Sequence, residues 1–140
     1  MKIRELQTSI ADALNGDERL VQNGCTAVAE DALTVQNSIA QSVSGAGRIA
    51  LVVLSPRAER DADGCLEGVP VTLHVVVRCI EAPALRNRRG GFTALDAAEA
   101  VVHALDGETL AFVSLGQTAD VRTGTVTVSA EFTASVIITP

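Results

Sequence analysis

The sequence predicts an α+β fold, a two-layer sandwich in which a mainly antiparallel sheet of about four strands carries helices on one face. Residues 69–80 and 126–138 alternate apolar and polar side chains, which is typical of half-buried antiparallel strands. Residues 3–14 and 93–105 instead repeat apolar residues at helical spacing. Because its 140 residues contain no linker and no internal repeat, the chain is expected to form one domain, residues 1–140.

Composition indicates which side chains fill the core. Apolar residues make up 47% of the chain and charged residues 20%, which is enough apolar material for a packed core and unlike a disordered protein. Aromatic side chains are scarce, because the chain has three Phe and no Trp or Tyr. Val, Leu, Ile and Ala must therefore supply most of the core.

The amino-terminal part is predicted to begin with a helix. Its apolar residues form one stripe, and the Asn15–Gly16 pair supplies a stop, since both residues tolerate the left-handed conformation that closes a helix. The stripe consists of Ile3, Leu6, Ile10 and Leu14. Residues 17–30 show no assignable pattern. A second helix is expected over residues 32–43, with Asp31 as its cap.

Strands are expected to dominate from residue 49 onward. The aliphatic run 49–54 is too short for a helix and predicts a central strand covered on both faces. The polar residues 55–68 that follow predict a long hairpin arm or a loop. The strand at 126–138 is expected to pair with a shorter strand near 110–115 or 119–122, through a turn at Thr123–Gly124.

A capped helix separates the two long strands. Thr93 is followed by Asp96 three positions later, a pair typical of a capping box, and Gly107 lies just past the predicted end. The residues expected on its buried stripe are Leu95, Ala98, Val102 and Leu105.

Charge is distributed unevenly along the chain, whose net charge is −6. Residues 1–47 carry 3 positive and 6 negative charges, residues 48–92 carry 7 and 5, and residues 93–140 carry 1 and 6. An acidic chain with few aromatic side chains lacks the basic groove and the stacking platform of a dedicated nucleic-acid-binding protein. Opposite charges on different surfaces instead favour head-to-tail association of identical subunits.

The cysteines and the amino terminus bear on location. Cys25, Cys65 and Cys79 are odd in number and show no zinc-type spacing, so free, buried or half-buried thiols in a reducing compartment are expected. The start of the chain is charged and has no apolar segment of a secretory signal. No apolar run approaches the roughly 20 residues of a membrane span, so the protein is expected to be soluble.

Two groups of residues could carry chemistry, and for both a structural role is favoured. Asp96, Glu99, His103 and Asp106 share one face of the capped helix and could form a metal or acid–base site, but a solvated polar face explains them as well. His74 lies in the middle of a strand, where a nucleophile such as Ser55 or Cys65 would be needed for catalysis. Since no nucleophile motif is present, a hydrogen-bonded structural histidine or an interface histidine is expected.

An arginine-rich loop precedes the capped helix. Gly90–Gly91 before a helix is compatible with an anion site, but the motifs GxGxxG and Walker A are absent. Exposed arginines are favoured at protein interfaces, where the guanidinium pairs with carboxylates. Interface use and plain solvent exposure both remain open for Arg86, Arg88 and Arg89.

The order of these elements resembles a known family. The aliphatic strand 48–56, the polar arm, the strand 69–81 ending in Glu81-Ala82-Pro83, and Asn87-Arg88 are followed by the helix 93–105 and a long alternating last strand. Over residues 48–138 this order and spacing resemble the tail-terminator (tail-completion, minor tail) proteins of tailed bacteriophages. The amino-terminal third matches less closely.

The resemblance implies a structural role without catalysis. Proteins of this family form a ring, typically a hexamer, at the head-proximal end of the tail tube, where it stops tube polymerisation and meets the head-completion proteins. The implied partners are therefore other copies of this chain, the tail-tube protein and a head-completion or neck protein, with no sequence-specific nucleic acid, membrane, cofactor or metal. The implied location is the tail or neck of a virion assembled in the host cytoplasm.

Within this interpretation, the arm 55–68 and the loop 82–92 are expected to contact neighbouring subunits or the tube. The charged residues assigned to this interface are Arg57, Arg60, Asp61, Asp63, Arg86, Arg88 and Arg89. One alternative is another phage joining or tail protein, such as a head-closure ring, a tube subunit or a baseplate subunit. A second is a small oligomeric enzyme with a site between subunits that uses His74, Cys79 or the arginines.

Overall fold

Two long antiparallel strands form the middle of the sheet. The computed structural model describes residues 3–29, 49–61, 68–81, 92–120, 122 and 124–138. Strands β4 (Val69–Glu81) and β6 (Val126–Ile138) pair along their whole length, from Val69 opposite Ile138 to Glu81 opposite Val126. Along most of both strands buried residues alternate with more exposed ones, so one face is covered and the other is partly exposed, as the sequence predicts.

Two short strands follow one another along the same side of β4. Strands β2 (Ala50–Val53) and β3 (Arg57–Arg60) both run antiparallel to it, separated by Leu54, Ser55 and Pro56. All four residues of β2 are buried between β4 and strand β1 (Thr26–Ala29), which confirms the predicted covered strand. The polar arm is a hairpin at its base, because β3 pairs with β4.

The sheet has six strands, not the predicted four or so. Strand β1 lies parallel to β2, and strand β5 (Ala111–Ala119) lies antiparallel to β6, so the order is β1-β2-β4-β6-β5 with β3 also on β4. The shorter strand expected before β6 is a single nine-residue strand. Its turn into β6 uses Gly124, which has a positive φ of 72°.

The first helix, α1 (Ile3–Asn15), is confirmed, and its predicted stripe is buried at Leu6, Ile10 and Leu14. It ends where Asn15–Gly16 predicts, although Gly16 is not in the left-handed region. A short helix, α2 (Glu18–Gln22), begins at Asp17, whose side chain accepts a hydrogen bond from the Leu20 N–H at 3.1 Å. The helix expected over residues 32–43 lies outside the described residues.

The third helix, α3 (Ala94–Leu105), has the predicted capping box and buries Ala98 as predicted, but most of its buried residues lie outside the predicted stripe. Leu95, predicted to be buried, has 43% of its surface exposed, and Val102 and Leu105 are half-buried. The residues that face the sheet are mostly alanines, which let the helix approach closely: Ala94, Ala97, Ala98, Ala100 and Val101. The spacing of polar and apolar residues along α3 does not show which of the two overlapping sets, the predicted one or the observed one, is buried.

The core lies between the helices and one face of the sheet, which confirms the predicted α+β class with helices packed on one side. Its largest fully buried side chain is Phe132, surrounded by aliphatic residues from α1, α3, β2, β4 and β6. Among the described helices none is long and apolar enough to cross a membrane. On the opposite face of the sheet β2 buries Ala50 and Val52, while β4 and β6 carry the polar side chains that form the candidate site.

Candidate interaction surface

The structure describes three of the seven charged residues predicted at an interface. Arg57 and Arg60 belong to β3, whose four residues are all exposed, and Asp61 follows directly. The other four predicted residues lie outside the described part of the chain: Asp63, Arg86, Arg88 and Arg89.

Asp61 extends the pairing of β3 with β4 beyond Arg60. Its N–H donates to the Pro70 carbonyl at 3.0 Å, and its carboxylate accepts a hydrogen bond from the Thr72 hydroxyl at 2.7 Å. Arg57 pairs with Glu59 on the same strand. Within the described residues, Arg60 has no ion pair, so it is the cation of β3 that is available to another molecule.

A row of polar side chains crosses the exposed face of the sheet through His74. The His74 Nε2 lies 3.6 Å from the Glu59 carboxylate on β3, and its Nδ1 lies 3.5 Å from the Glu131 carboxylate on β6. Within the described residues neither ring nitrogen has a hydrogen-bond partner of normal geometry, so the two carboxylates contact His74 at ion-pair distance, and its role as a structural or interface histidine stays a prediction. The Ser114 hydroxyl extends the row to β5, donating to Glu131 at 3.4 Å.

The charge on Arg57 sets the electrostatics of this row. Its guanidinium donates to the Glu59 carboxylate and attracts it, and His74 adds a weaker attraction, so the pKa of Glu59 is lowered from its usual value of 4.5. Glu59 therefore stays ionised at neutral pH beside a histidine ring. The row offers another molecule the exposed guanidinium of Arg57 and carboxylate of Glu59, whereas the ring nitrogens of His74 are buried.

The polar face of α3 is occupied by local structural roles. Asp96 closes the capping box with Thr93, and the Asp106 carboxylate accepts a hydrogen bond from the Phe112 N–H at 3.0 Å. His103 lines an open cleft against α2, beside Glu18 and Arg19. In the described ranges no group of three or more His, Cys, Asp or Glu side chains is placed to hold a metal ion.

Three polar residues hold the helices against the sheet, and the sequence pattern does not reveal them. Glu81, the last residue of β4, is 3% exposed and its carboxylate accepts a hydrogen bond from the Ala94 N–H at 3.2 Å. The Asn15 side chain donates to the Ala27 carbonyl and accepts from the Ala27 N–H, both at 2.8 Å. Gln7, also buried, donates to the Val53 carbonyl at 2.9 Å. The hydrogen-bond partner of each of these three side chains lies at least 12 positions away in the sequence, so no local pattern reveals it.

The thiols are inaccessible where the structure describes them. Cys25 and Cys79 are free and buried, as predicted, and Cys65 lies outside the described residues. Burial raises the pKa of Cys25 to about 11 and raises that of Cys79 further above its usual range. A raised pKa keeps both thiols protonated and unreactive at neutral pH.

Strand β5, at one edge of the sheet, is exposed along its whole length. All nine residues of β5 are exposed, including Phe112 at 38%, Val113 at 53% and Leu115 at 38%. The Phe112 ring contacts the buried Phe132 ring edge to face, with their centroids 5.9 Å apart, and is otherwise partly exposed to solvent. No strand borders β5 on its outer side in the part of the chain that is described.

Comparison with known proteins identifies a structural neighbour. No family model matches this sequence, and the search of curated proteins finds no relative. Among solved structures, the chain is similar to a chain of the "Virion of native gene transfer agent (GTA) particle", with a TM-score of 0.64 and 20% identity over 95% of each chain. The two chains therefore share a fold along almost their whole length.

Proposed function

We propose that this protein is a structural virion protein of the tail-terminator type. In this role copies of the chain form a ring, a hexamer, at the head-proximal end of a tail tube, where the ring stops tube polymerisation and binds the head-completion or neck proteins. The observation that carries the proposal is the match to a chain of the gene transfer agent virion over 95% of both chains. The order of elements over residues 48–138, which resembles tail terminators, supports the more specific role.

The exposed surface suits a protein that acts by contact. The face of the sheet away from the core carries the row from Arg57 to Ser114, and β5 exposes apolar side chains to solvent. A small protein that exposes both kinds of surface is suited to bind other proteins on two sides, as each subunit of a closed ring must.

Two measurements test this function. Native mass spectrometry of the purified protein, alone and with tail tubes, is expected to show a particle about six times the 14.5 kDa chain mass. Electron microscopy of particles produced without this protein is expected to show tubes of uncontrolled length that are not joined to heads.

The same experiment separates the alternatives. Tails of normal length that fail to join heads would indicate a head-closure protein, and absence of tubes would indicate a tube or baseplate subunit. Normal, joined particles lacking this protein would contradict a role in the virion.

A further inference from the structure

The two edges of the sheet differ in whether their backbone groups are occupied. On β1 the outward N–H and carbonyl of Ala27 are both bonded to the Asn15 side chain, and the preceding Cys25 N–H donates to the Leu20 carbonyl at 3.0 Å. Residues from α1 and α2 thus close this edge against another strand.

The opposite edge is open. The backbone N–H of Asp120 donates to the Thr125 carbonyl at 2.9 Å, so the backbone groups of Asp120 point toward β6. Because successive residues of a strand point their backbone groups to opposite sides, this bond fixes which residues of β5 face away from β6. By this alternation the backbone N–H and carbonyl groups of Leu115, Gln117 and Ala119 point away from β6. We call these three residues the β5 edge. Within the described residues no other strand borders it.

The β5 edge also lacks the features that keep a free edge from pairing. Monomeric proteins protect edge strands with charged residues, prolines or short length, because an open ladder binds other strands. Strand β5 has nine residues, none of them charged or proline, and it exposes Phe112 and Leu115. Such an edge is suited to accept a strand from another molecule.

A second edge without a strand partner in the described residues lies at β3, which is short and charged, so it is suited to a specific strand of complementary charge and not to any free strand. The Asp61 N–H donates to the Pro70 carbonyl, so alternation directs the backbone groups of Ala58 and Arg60 away from β4. We call these two residues the β3 edge. Strand β1 pairs only with β2, and so leaves this edge uncovered within the described residues.

Charge favours joining these two edges. The β3 edge carries Arg60, which has no ion pair among the described residues, whereas the neighbouring Arg57 is balanced by Glu59 and the Asp61 carboxylate is bonded to Thr72. Acidic residues border β5, with only Arg122 to oppose them: Asp106, Glu108, Asp120 and Glu131. Two β5 strands brought together would instead place acidic groups against acidic groups.

We propose that the β5 edge of one copy of this chain pairs with the β3 edge of the next copy. The contact is head-to-tail, so it continues the sheet from subunit to subunit. Such contacts form a closed ring when the rotation between neighbouring copies divides a full turn evenly. This inference names the contact between subunits of the ring proposed above, and it rests on that proposed function for the closure of the ring. The pairing of the two edges itself follows from the backbone groups and charges of β3 and β5.

Proline substitutions test the contact, because proline removes a backbone donor. Gln117→Pro removes an outward N–H from the β5 edge, and Ala58→Pro removes one from the β3 edge, while neither removes a bond within the chain's own sheet. Gln117→Thr and Ala58→Ser keep the donors and are the matched controls. Circular dichroism and thermal unfolding check that all four variants fold.

Native mass spectrometry gives the decisive result. Each proline variant is expected to shift from the assembled mass to the mass of one chain, while its control remains assembled. An equimolar mixture of the two proline variants is expected to form a 1:1 pair and nothing larger, because each supplies the edge that the other lacks.

Other outcomes overturn the contact. If Ala58→Pro assembles like the unmodified chain while Gln117→Pro does not, β5 pairs with β5 or with another protein. If both folded proline variants assemble and still terminate tails, the ring is retained and this contact is wrong. An unmodified chain that stays monomeric up to its solubility limit and with tail tubes contradicts both the contact and the ring.

Discussion

The carboxylate of Glu81 accepts a hydrogen bond from the backbone N–H of Ala94, and this bond ties the end of β4 to the first turn of α3. The residue is 3% exposed and lies at the amino-terminal end of the helix, where unpaired N–H groups favour a negative charge. One buried side chain thus fixes where the helical layer begins above the sheet.

Replacement of Glu81 by Ala is expected to lower the free energy of unfolding by about 1–3 kcal/mol, because a buried backbone donor loses its partner. Glu81→Gln is expected to cost less, since the amide oxygen can still accept the bond. Chemical denaturation measures the change. Glu99→Ala, at an exposed position of the same helix, is the control, and an equal loss in that variant would contradict a specific role for Glu81.

The bond between Glu81 and Ala94 illustrates what the sequence does not predict. The strand, the helix and its capping box follow from alternation, spacing and the Thr93–Asp96 pair, each of which is local. The partner of Glu81 depends on how the helix docks on the sheet. The same docking buries Ala94, Ala97 and Val101 and leaves the predicted core residue Leu95 exposed, which is a tertiary effect.

Sequence patterns miss strand β1 and predict β3 only as part of a hairpin arm or a loop, and both strands are short edge elements. Strand β3 is exposed at all four residues, so it has no apolar periodicity to detect. On its outer edge strand β1 is bonded at Ala27 by the Asn15 side chain, which lies 12 positions away. The row through His74 depends in turn on the strand order β3-β4-β6, which no local pattern contains.

Loss of the Asn15 side chain is expected to destabilise β1. Asn15→Ala leaves the N–H and carbonyl of Ala27 without their partners, so the free energy of unfolding is expected to fall by about 1–3 kcal/mol. Asn23→Ala removes one exposed side-chain bond, to the Arg19 carbonyl, and is expected to change stability by less than about 0.5 kcal/mol. Urea unfolding compares them, and equal effects would refute the assigned role.

Gly68 is expected to tolerate no side chain. A Cβ at this position would meet the backbone carbonyl of Ile138 and, at 2.8 Å, the Ile137 side chain, at the end of the β4–β6 pair. Gly68→Ala should therefore cost about 1–3 kcal/mol through overpacking. Gly116→Ala is the control because nothing lies within 4 Å of its Cβ position. Thermal unfolding that ranks the two variants the other way would contradict the close approach.

The buried thiols should resist labelling in the folded protein. In a Cys65→Ser variant, a thiol reagent at neutral pH is expected to react slowly, because burial raises the pKa of both Cys25 and Cys79. Unfolding in guanidinium should release two reactive thiols. Rapid labelling before unfolding, with circular dichroism unchanged, would show that at least one thiol is accessible.

The pair Arg57–Glu59 should make a small part of the stability depend on acid pH. The pKa of Glu59 is lowered in the folded chain, so the folded state binds a proton less readily than the unfolded state. Its stabilising contribution is therefore present above about pH 4.5 and is lost as the pH falls through the lower, folded pKa. In Arg57→Met, an NMR titration should find the Glu59 pKa raised toward 4.5, and in His74→Gln a smaller rise, because Arg57 is the larger cause. A larger rise in His74→Gln would reverse this order and make the histidine the main partner of Glu59.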